Sequence, residues 1–185
     1  MKFETKRLII RALKLKDVDD VVDGLNNLNV LKNLGGIPYP YKKKDAIKFI
    51  QLSKKNKYKF GIYLKFEKKI IGVISYSVNL KNFTVSSGSW INEKYWMNGY
   101  VTEAKIPVID YFFNNLKLRK LTSSVFLENL GSQKALLKLG YKKEGLQKKE
   151  IICKATGKVH DLVLYGLFKE DYLKSKKKIK VNHFP

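Results

Sequence analysis

The stretch YWMNGYVTEA, Tyr95–Ala104, is where the pattern of the chain switches. Two aromatics lead into Gly99, and helical spacing begins directly behind it. A strand, a short loop and a helix in that order make an anion site on physical grounds. The first N–H groups of a helix lack internal partners, and the helix dipole adds partial positive charge. Gly99 lets the backbone approach a ligand with no Cβ in the way. Taken alone, an ordinary strand-to-helix turn explains one such glycine better.

Ahead of this stretch the chain alternates with a period of two. Tyr58, Phe60, Ile62 and Leu64 fall on one face of KYKFGIYLKF, and KKIIGVISYSVNL and FTVSSGSWI follow after short turns, an antiparallel meander. Behind it, VTEAKIPVIDYFFNNL reads as a helix, RKLTSSVFL as a strand and NLGSQKALLKLG as a helix. Two further strands fit residues 141–153 and 158–168. Nearer the N-terminus, RLIIRAL (Arg7–Leu13) reads as a strand, and Asp17 offers an N-cap to a helix carrying Val18, Val21, Val22 and Leu25. GGIPYP (Gly35–Pro40) is a loop, and KKDAIKFIQLSKK is a second helix. The fold class is α/β (α+β), with helices on a mixed sheet.

The chain of 185 residues is long enough for one domain with a substantial core. Its domain is expected over residues 1–173, with a loose, lysine-rich tail over 174–185. No apolar run approaches the roughly 18 residues of a membrane helix, and the charged N-terminus lacks a signal-peptide core. The single cysteine, Cys153, excludes an intrachain disulfide and fits a reducing, cytoplasmic setting. The formal net charge of +22 comes from lysine: of 38 basic residues only Arg7, Arg11 and Arg119 are arginine. Base and phosphate reading favours the planar fork of arginine, so scattered lysines fit a solvated surface better than a nucleic-acid module. Such a field still draws polyanions, whether RNA, a ribosome surface or a phosphorylated cofactor.

WINEKYWMNGYVTEA resembles the signature of the GCN5-related N-acetyltransferases (GNAT), specifically the RimJ/RimL-type branch that acetylates ribosomal-protein N-termini. Trp96, Gly99, Tyr100, Thr102, Glu103 and Ala104 match that signature position by position. FLENLGSQKALLKLGYKKEG resembles the second motif, with Asn129, Ser132 and Leu139-Gly140-aromatic. GKVHDLVLYGLFKEDY resembles the closing strand, and ETKRLIIRAL the opening one. The resemblance implies the GNAT fold, a mixed, mostly antiparallel sheet of about seven strands with about four helices. It implies acetyl-CoA as cofactor, its pyrophosphate on the N–H groups of Met97, Asn98, Gly99, Tyr100, Val101 and Thr102. The strand before this cradle splays from the next, and backbone groups of Trp90, Ile91 and Asn92 would hold the pantetheine arm. Asn129 would bond that arm, and Ser132 would stand near the sulfur as proton donor; an N-cap role for Asn129 competes evenly. Met97 replaces a usual glycine and Val101 a small residue, so cofactor binding is expected to be weakened. Pro107, past the first helical turn, is expected to kink the helix or delay its start.

Acetyl transfer needs a neutral amine, donors for the oxyanion and a proton for the leaving thiolate. Leu136 occupies the place of a tyrosine acid in many relatives, and Ser86 that of a glutamate. His160 is the candidate proton acceptor, though a histidine beside an aspartate is more often a structural hydrogen bond. Glu103 complements the helix dipole, and Asp17, Asp19, Asp20 and Asp23 suit the first turns of a helix more than an amine-attracting set. Cys153 is a packed residue, and no metal site is indicated. The sequence thus implies direct acetyl transfer in a ternary complex to a primary amine, a protein N-terminal α-amine ahead of a small-molecule amine such as a polyamine or antibiotic. A non-catalytic basic module docking on RNA or the ribosome is the alternative from another class. A monomer or homodimer without membrane contact is expected.

Overall fold

The computed structural model describes the backbone of residues 1–183 and the side chains through Ile179. Eight strands form one sheet: β1 (Lys2–Glu4), β2 (Leu8–Arg11), β3 (Lys59–Leu64), β4 (Lys69–Asn79), β5 (Thr84–Ile91), β6 (Lys120–Phe126), β7 (Lys142–Ile152) and β8 (Val159–Leu167). Their spatial order is β1-β2-β3-β4-β5-β6-β8-β7, antiparallel at every pairing except the parallel β5–β6. The helices are α1 (Val18–Leu25), α2 (Leu28–Leu31), α3 (Lys43–Ser53), α4 (Tyr100–Asn114), α5 (Leu130–Lys138) and α6 (Lys169–His183). The meander and the β-α-β-α-β-β run stand as the pattern implied. Short β1 and α2 and the terminal α6 are additions, and two single 3-10 turns sit at Leu15–Asp17 and Glu93–Tyr95.

Two cores hold the layers together. On one face Leu8, Phe60, Ile62, Ile74, Tyr76 and Val85 meet Ala104, Val108, Ile109 and Phe112 of α4, joined by Leu136 of α5 and Tyr172 and Ile179 of α6. On the other, Val18, Val21 and Leu25 of α1 and Ala46 and Ile50 of α3 pack on Ile70, Val73 and Trp90. Each core buries branched and aromatic side chains at roughly 1.5–3 kcal/mol apiece.

Several local expectations are corrected. Asp17 precedes α1, but its carboxylate does not cap it: it accepts from the Lys14 amide at 2.7 Å and holds Arg11 through bonds of 2.7 and 2.9 Å. The helix around Pro107 starts at Tyr100, with no delayed start, and its span to Asn114 includes the proline. The proline costs about 3 kcal/mol, which the buried Ala104, Val108, Ile109, Phe112 and Phe113 outweigh. The stretch expected to be loose beyond Leu173 is helical through His183, with Ile179 buried and Lys176 bonded to Asp110 at 2.6 and 2.7 Å. Phe184 and Pro185 lie outside the described residues, as does the side chain of His183.

The break in the sheet positions the site. β5 pairs with β6 only from Thr84↔Lys120 to Ser87↔Ser123. Beyond that vertex β5 stays on β4 through Ile91, and β6 stays on β8 through Phe126. The two strands part, and α4 and α5 flank the opening from the face that carries the first core.

Candidate active site

The chain turns from β5 into α4 through Trp96, Met97, Asn98 and Gly99. Gly99 adopts φ +73° and leaves open space where a Cβ would stand, the nearest atom being Arg7 Nη2 at 4.0 Å. Met97 also lies at positive φ, +63°, and its side chain is 96% exposed. That explains why glycine suits the position: the left-handed region costs other residues roughly 1–2 kcal/mol. The methionine side chain stands in solvent, so only this backbone cost follows.

The first internal bond of α4 runs from Glu103 N–H to Gly99 C=O at 3.0 Å. The N–H groups of Tyr100, Val101 and Thr102 therefore precede the ladder, and no side chain caps them. Three donors at the positive end of a fifteen-residue helix, beside an open glycine, fit a pyrophosphate. A cavity of about 230 Å³ beside the loop gathers Lys6, Arg7 and Lys138 near Gly99 and Thr102.

Glu103 does more than complement the dipole. It is 7% exposed and bonds Arg7 Nε at 2.6 Å, the Arg7 amide at 3.1 Å and the Thr5 hydroxyl at 2.6 Å. Arg7 in turn donates to the Asn98 carbonyl at 3.0 Å and lies over the Tyr100 ring, 4.3 Å from its centroid. The cradle is thus tied to the N-terminal strand through one arginine, a support that local sequence pattern does not reveal.

Of the three residues expected to hold the cofactor arm, the backbone of only one faces the opening. The Asn92 amide is spent on Ile71 C=O at 2.9 Å. Alternation along the strand turns the groups of Trp90 toward β4 as well and leaves those of Ser89 and Ile91 toward the gap. Of these the Ile91 carbonyl accepts from the Trp96 indole at 2.9 Å. The Asn92 side chain bonds Asp23 at 2.8 Å, and Trp90 packs in the second core. Ser89 was missed; counting by twos from the vertex would have found it.

At the head of α5, the Asn129 side-chain oxygen accepts from the Ser132 amide at 3.1 Å, the N-cap arrangement. The Ser132 hydroxyl has no partner among the described residues and is half-buried. Leu136 is buried in the core. His160 bonds Glu128 through Nδ1 at 3.2 Å and stacks on Phe126 at 4.4 Å, while its Nε2 is buried without a partner. His160 lies four positions up β8 from Leu164, which stands opposite Ser124 at the vertex, roughly 13 Å at the rise of a strand. The structure does not bring it to Ser132 or to the vertex. Its neighbour Glu128 had gone unnoticed, since no spacing rule joins the two. The acidic set is engaged throughout: Asp17 with Arg11, Asp19 with Lys43, Asp20 with the Ile70 amide and Asp23 with Asn92 and Lys94. Cys153 is fully buried against carbonyls of Leu31 and Leu34.

A model of the acetyltransferase (GNAT) domain matches residues 7–142. The chain belongs to the GNAT acetyltransferase family. It is similar to the uncharacterized N-acetyltransferase YnaD of Bacillus subtilis, 30% identical over 80% of this chain and 87% of the relative. Among solved structures, a GNAT-family acetyltransferase from Bacillus anthracis superposes with a TM-score of 0.79 at 26% identity, covering 92% of this chain and 99% of that one. RimL, a ribosomal L7/L12 α-N-protein acetyltransferase solved with coenzyme A, superposes with a TM-score of 0.79 at 17% identity over 91% and 98% of the two chains. This GNAT chain is an N-acetyltransferase that uses acetyl-CoA, and the cradle fits that cofactor. When bound, acetyl-CoA supplies the acetyl group as an activated thioester. The Tyr100, Val101 and Thr102 N–H groups at the head of α4 would hold its phosphates, and the free strand-edge groups of β5 in the gap would orient its arm. Among the described residues, no helix is long and apolar enough to cross a membrane.

Proposed function

We propose that this enzyme acetylates the α-amine of a protein N-terminus by direct transfer in a ternary complex. The observation that carries the proposal is the character of the vertex, where Ser75, Ser86 and Ser124 surround the point of divergence and the histidine stands well up the strand. An α-amine has an ordinary pKa of about 8, so a substantial fraction is neutral near pH 7.5. A lysine or polyamine nitrogen, near 10.4, is almost wholly protonated there and needs a strong base at the reacting centre. A hydroxyl-walled vertex suits the first acceptor. The printed role of RimL, acetylation of a protein α-nitrogen, and a net charge of +22 that repels polycations support the same reading. One buried cysteine fits a reducing compartment, the cytoplasm.

The test has two steps. Calorimetric titration of acetyl-CoA at physiological salt, with ATP as a charge control, is expected to give much tighter binding for acetyl-CoA. The peptide Ser-Ala-Lys-amide, which carries both kinds of amine, is then expected to gain its acetyl group on the α-nitrogen. Acetylation confined to the lysine nitrogen would overturn the proposal. Equal affinity for ATP would point instead to the basic surface as the working feature.

A further inference from the structure

Three charged side chains are buried among the described residues: Asp17, Glu103 and Lys105. Asp17 holds Arg11 and Glu103 holds Arg7, at 2.7 and 2.6 Å. Lys105 of α4 has neither a hydrogen bond nor an ion pair among the described residues. Burial pushes its ammonium down to about 8. A buried cation with no counter-charge costs stability, and an apolar side chain would serve the core better. Folding gives no reason for this ammonium, and its position does.

Contacts around α4 fix the direction in which Lys105 points. Glu103 and Tyr111 face one edge of the sheet, toward Thr5 and Arg7 and toward Phe3 of β1. Phe112 faces the middle, its ring 5.4 Å from that of Tyr58 and 4.8 Å from that of Tyr76 on β4. Phe113, on the far flank, meets Tyr172 of α6 at 5.8 Å. At roughly 100° per residue, Lys105 lies about 20° from Phe112, displaced toward the flank of Phe113. It therefore faces β5, the strand after β4, and the opening beyond it. The strands set its height. α4 runs back down the sheet from the end of β5, and Tyr76 stands opposite Ser87, the last residue of β5 paired with β6. Lys105 is seven residues nearer the cradle than Phe112, about 10 Å along the helix. Helical side chains lean further toward the N-terminus. The ammonium thus lies past the vertex, on the α4 side of the gap.

We propose that Lys105 is the group that receives the leaving thiolate of acetyl transfer. This role rests on the transferase activity alone and holds whichever amine is the acceptor. As the acceptor nitrogen forms its bond to the acetyl carbon, the carbon–sulfur bond breaks and its electron pair stays on sulfur. The Lys105 ammonium pairs with that charge and gives it a proton. The proton that the acceptor nitrogen loses passes to water, from which Lys105 is recharged. Leu136 leaves α5 without a phenol for this task, and the Ser132 hydroxyl carries no surplus proton. An alkyl thiol titrates near 8.5, so an ammonium held at about 8 is matched to it. The phenols of this core, Tyr76, Tyr141 and Tyr172, are pushed up by burial. Glu103 and Asp110, the acids of α4, are held by Arg7 and Lys176.

The thiol of protein-bound CoA is titrated with pH by its ultraviolet thiolate absorbance, with the desulfo-CoA complex as blank. The parent is expected to form thiolate at least about one pH unit below Lys105→Met, because an adjacent ammonium favours the anion. Lys105→Met is also expected to bind acetyl-CoA within about threefold of the parent by calorimetry. On Ser-Ala-Lys-amide its kcat is expected to fall about a hundredfold with KM little changed. Coincident thiol titrations, an undiminished kcat, or a loss of acetyl-CoA affinity as large as that of kcat would each overturn the proposal. The thiol titration needs no acceptor, so failure of the α-amine reading leaves it standing. A parent protein that takes up no CoA removes the cradle reading first, and this role with it.

Discussion

Lys105 lies at the centre of the buried arc of α4, in helical spacing with Val101, Val108, Ile109 and Phe112, and only 3% of it reaches solvent. Burial pushes its ammonium down from 10.5 to about 8. Between those values the unfolded chain holds a proton that the native protein has released. Stability therefore rises with pH across that window, and the full penalty stands below about pH 8. Lys105→Met keeps an unbranched chain of similar length and removes the charge. It is expected to stabilise the protein at pH 7 by up to about 3 kcal/mol and to flatten the rise between pH 8 and 10.5. Thermal melts at pH 7 and pH 10 check this, and a variant that melts lower than the parent at pH 7 would show that the ammonium is doing structural service. At this scale the sequence was legible where chemistry is local: Gly99 reads as a residue needed for its backbone, and so it is. Met97 at φ +63° was legible only through the glycine that the resembled signature carries there, because a methionine by itself announces nothing about a left-handed turn.

Elements with a clear period were readable, and those held by distant partners were not. The meander β3–β5 follows alternation, and α4 and α5 follow helical spacing. The three residues of β1 and four of α2 are too few to carry any period. Asp17 and Glu103 sit where caps and dipole partners belong, yet each is bound to an arginine supplied by β2 or the turn before it. The Glu103 partnership spans the chain from Arg7 and braces the loop that ends in Gly99. Arg7→Ala would leave a buried carboxylate without its cation and the Asn98 carbonyl without its donor. The expected result is a stability loss of about 2 kcal/mol and acetyl-CoA binding several-fold weaker, read by urea titration and calorimetry on the same sample. Arg7→Lys restores a charge but not the forked contact with both Glu103 and Asn98, so it should recover stability more than affinity. Equal acetyl-CoA affinity in parent and Arg7→Ala would mean the loop holds its shape unaided.

At the scale of the whole molecule, composition misled about the C-terminus. Lys174, Lys176, Lys177, Lys178 and Lys180 make the last twelve residues look like a solvated tail. Long lysine stems can instead lie along a helix while a few apolar residues anchor it. Tyr172 is buried, bonding Asp110 at 3.0 Å and the Ile106 carbonyl at 3.1 Å, and Ile179 is 5% exposed at the far end of the contact with α4. Ending the chain after Leu173 keeps Tyr172 but removes Ile179 and the Lys176–Asp110 pair. It is expected to cost about 2–3 kcal/mol, most of it from Ile179. Ile179→Ala in the full chain loses nearly the same stability without changing any charge. Comparing the two separates packing from electrostatics: both should melt early, but only the truncation should flatten the salt dependence of polyanion binding, because only it removes five positive charges. If the truncated chain melts with the parent, α6 beyond Leu173 adds nothing to the core, and its lysines act from a segment that the domain does not need.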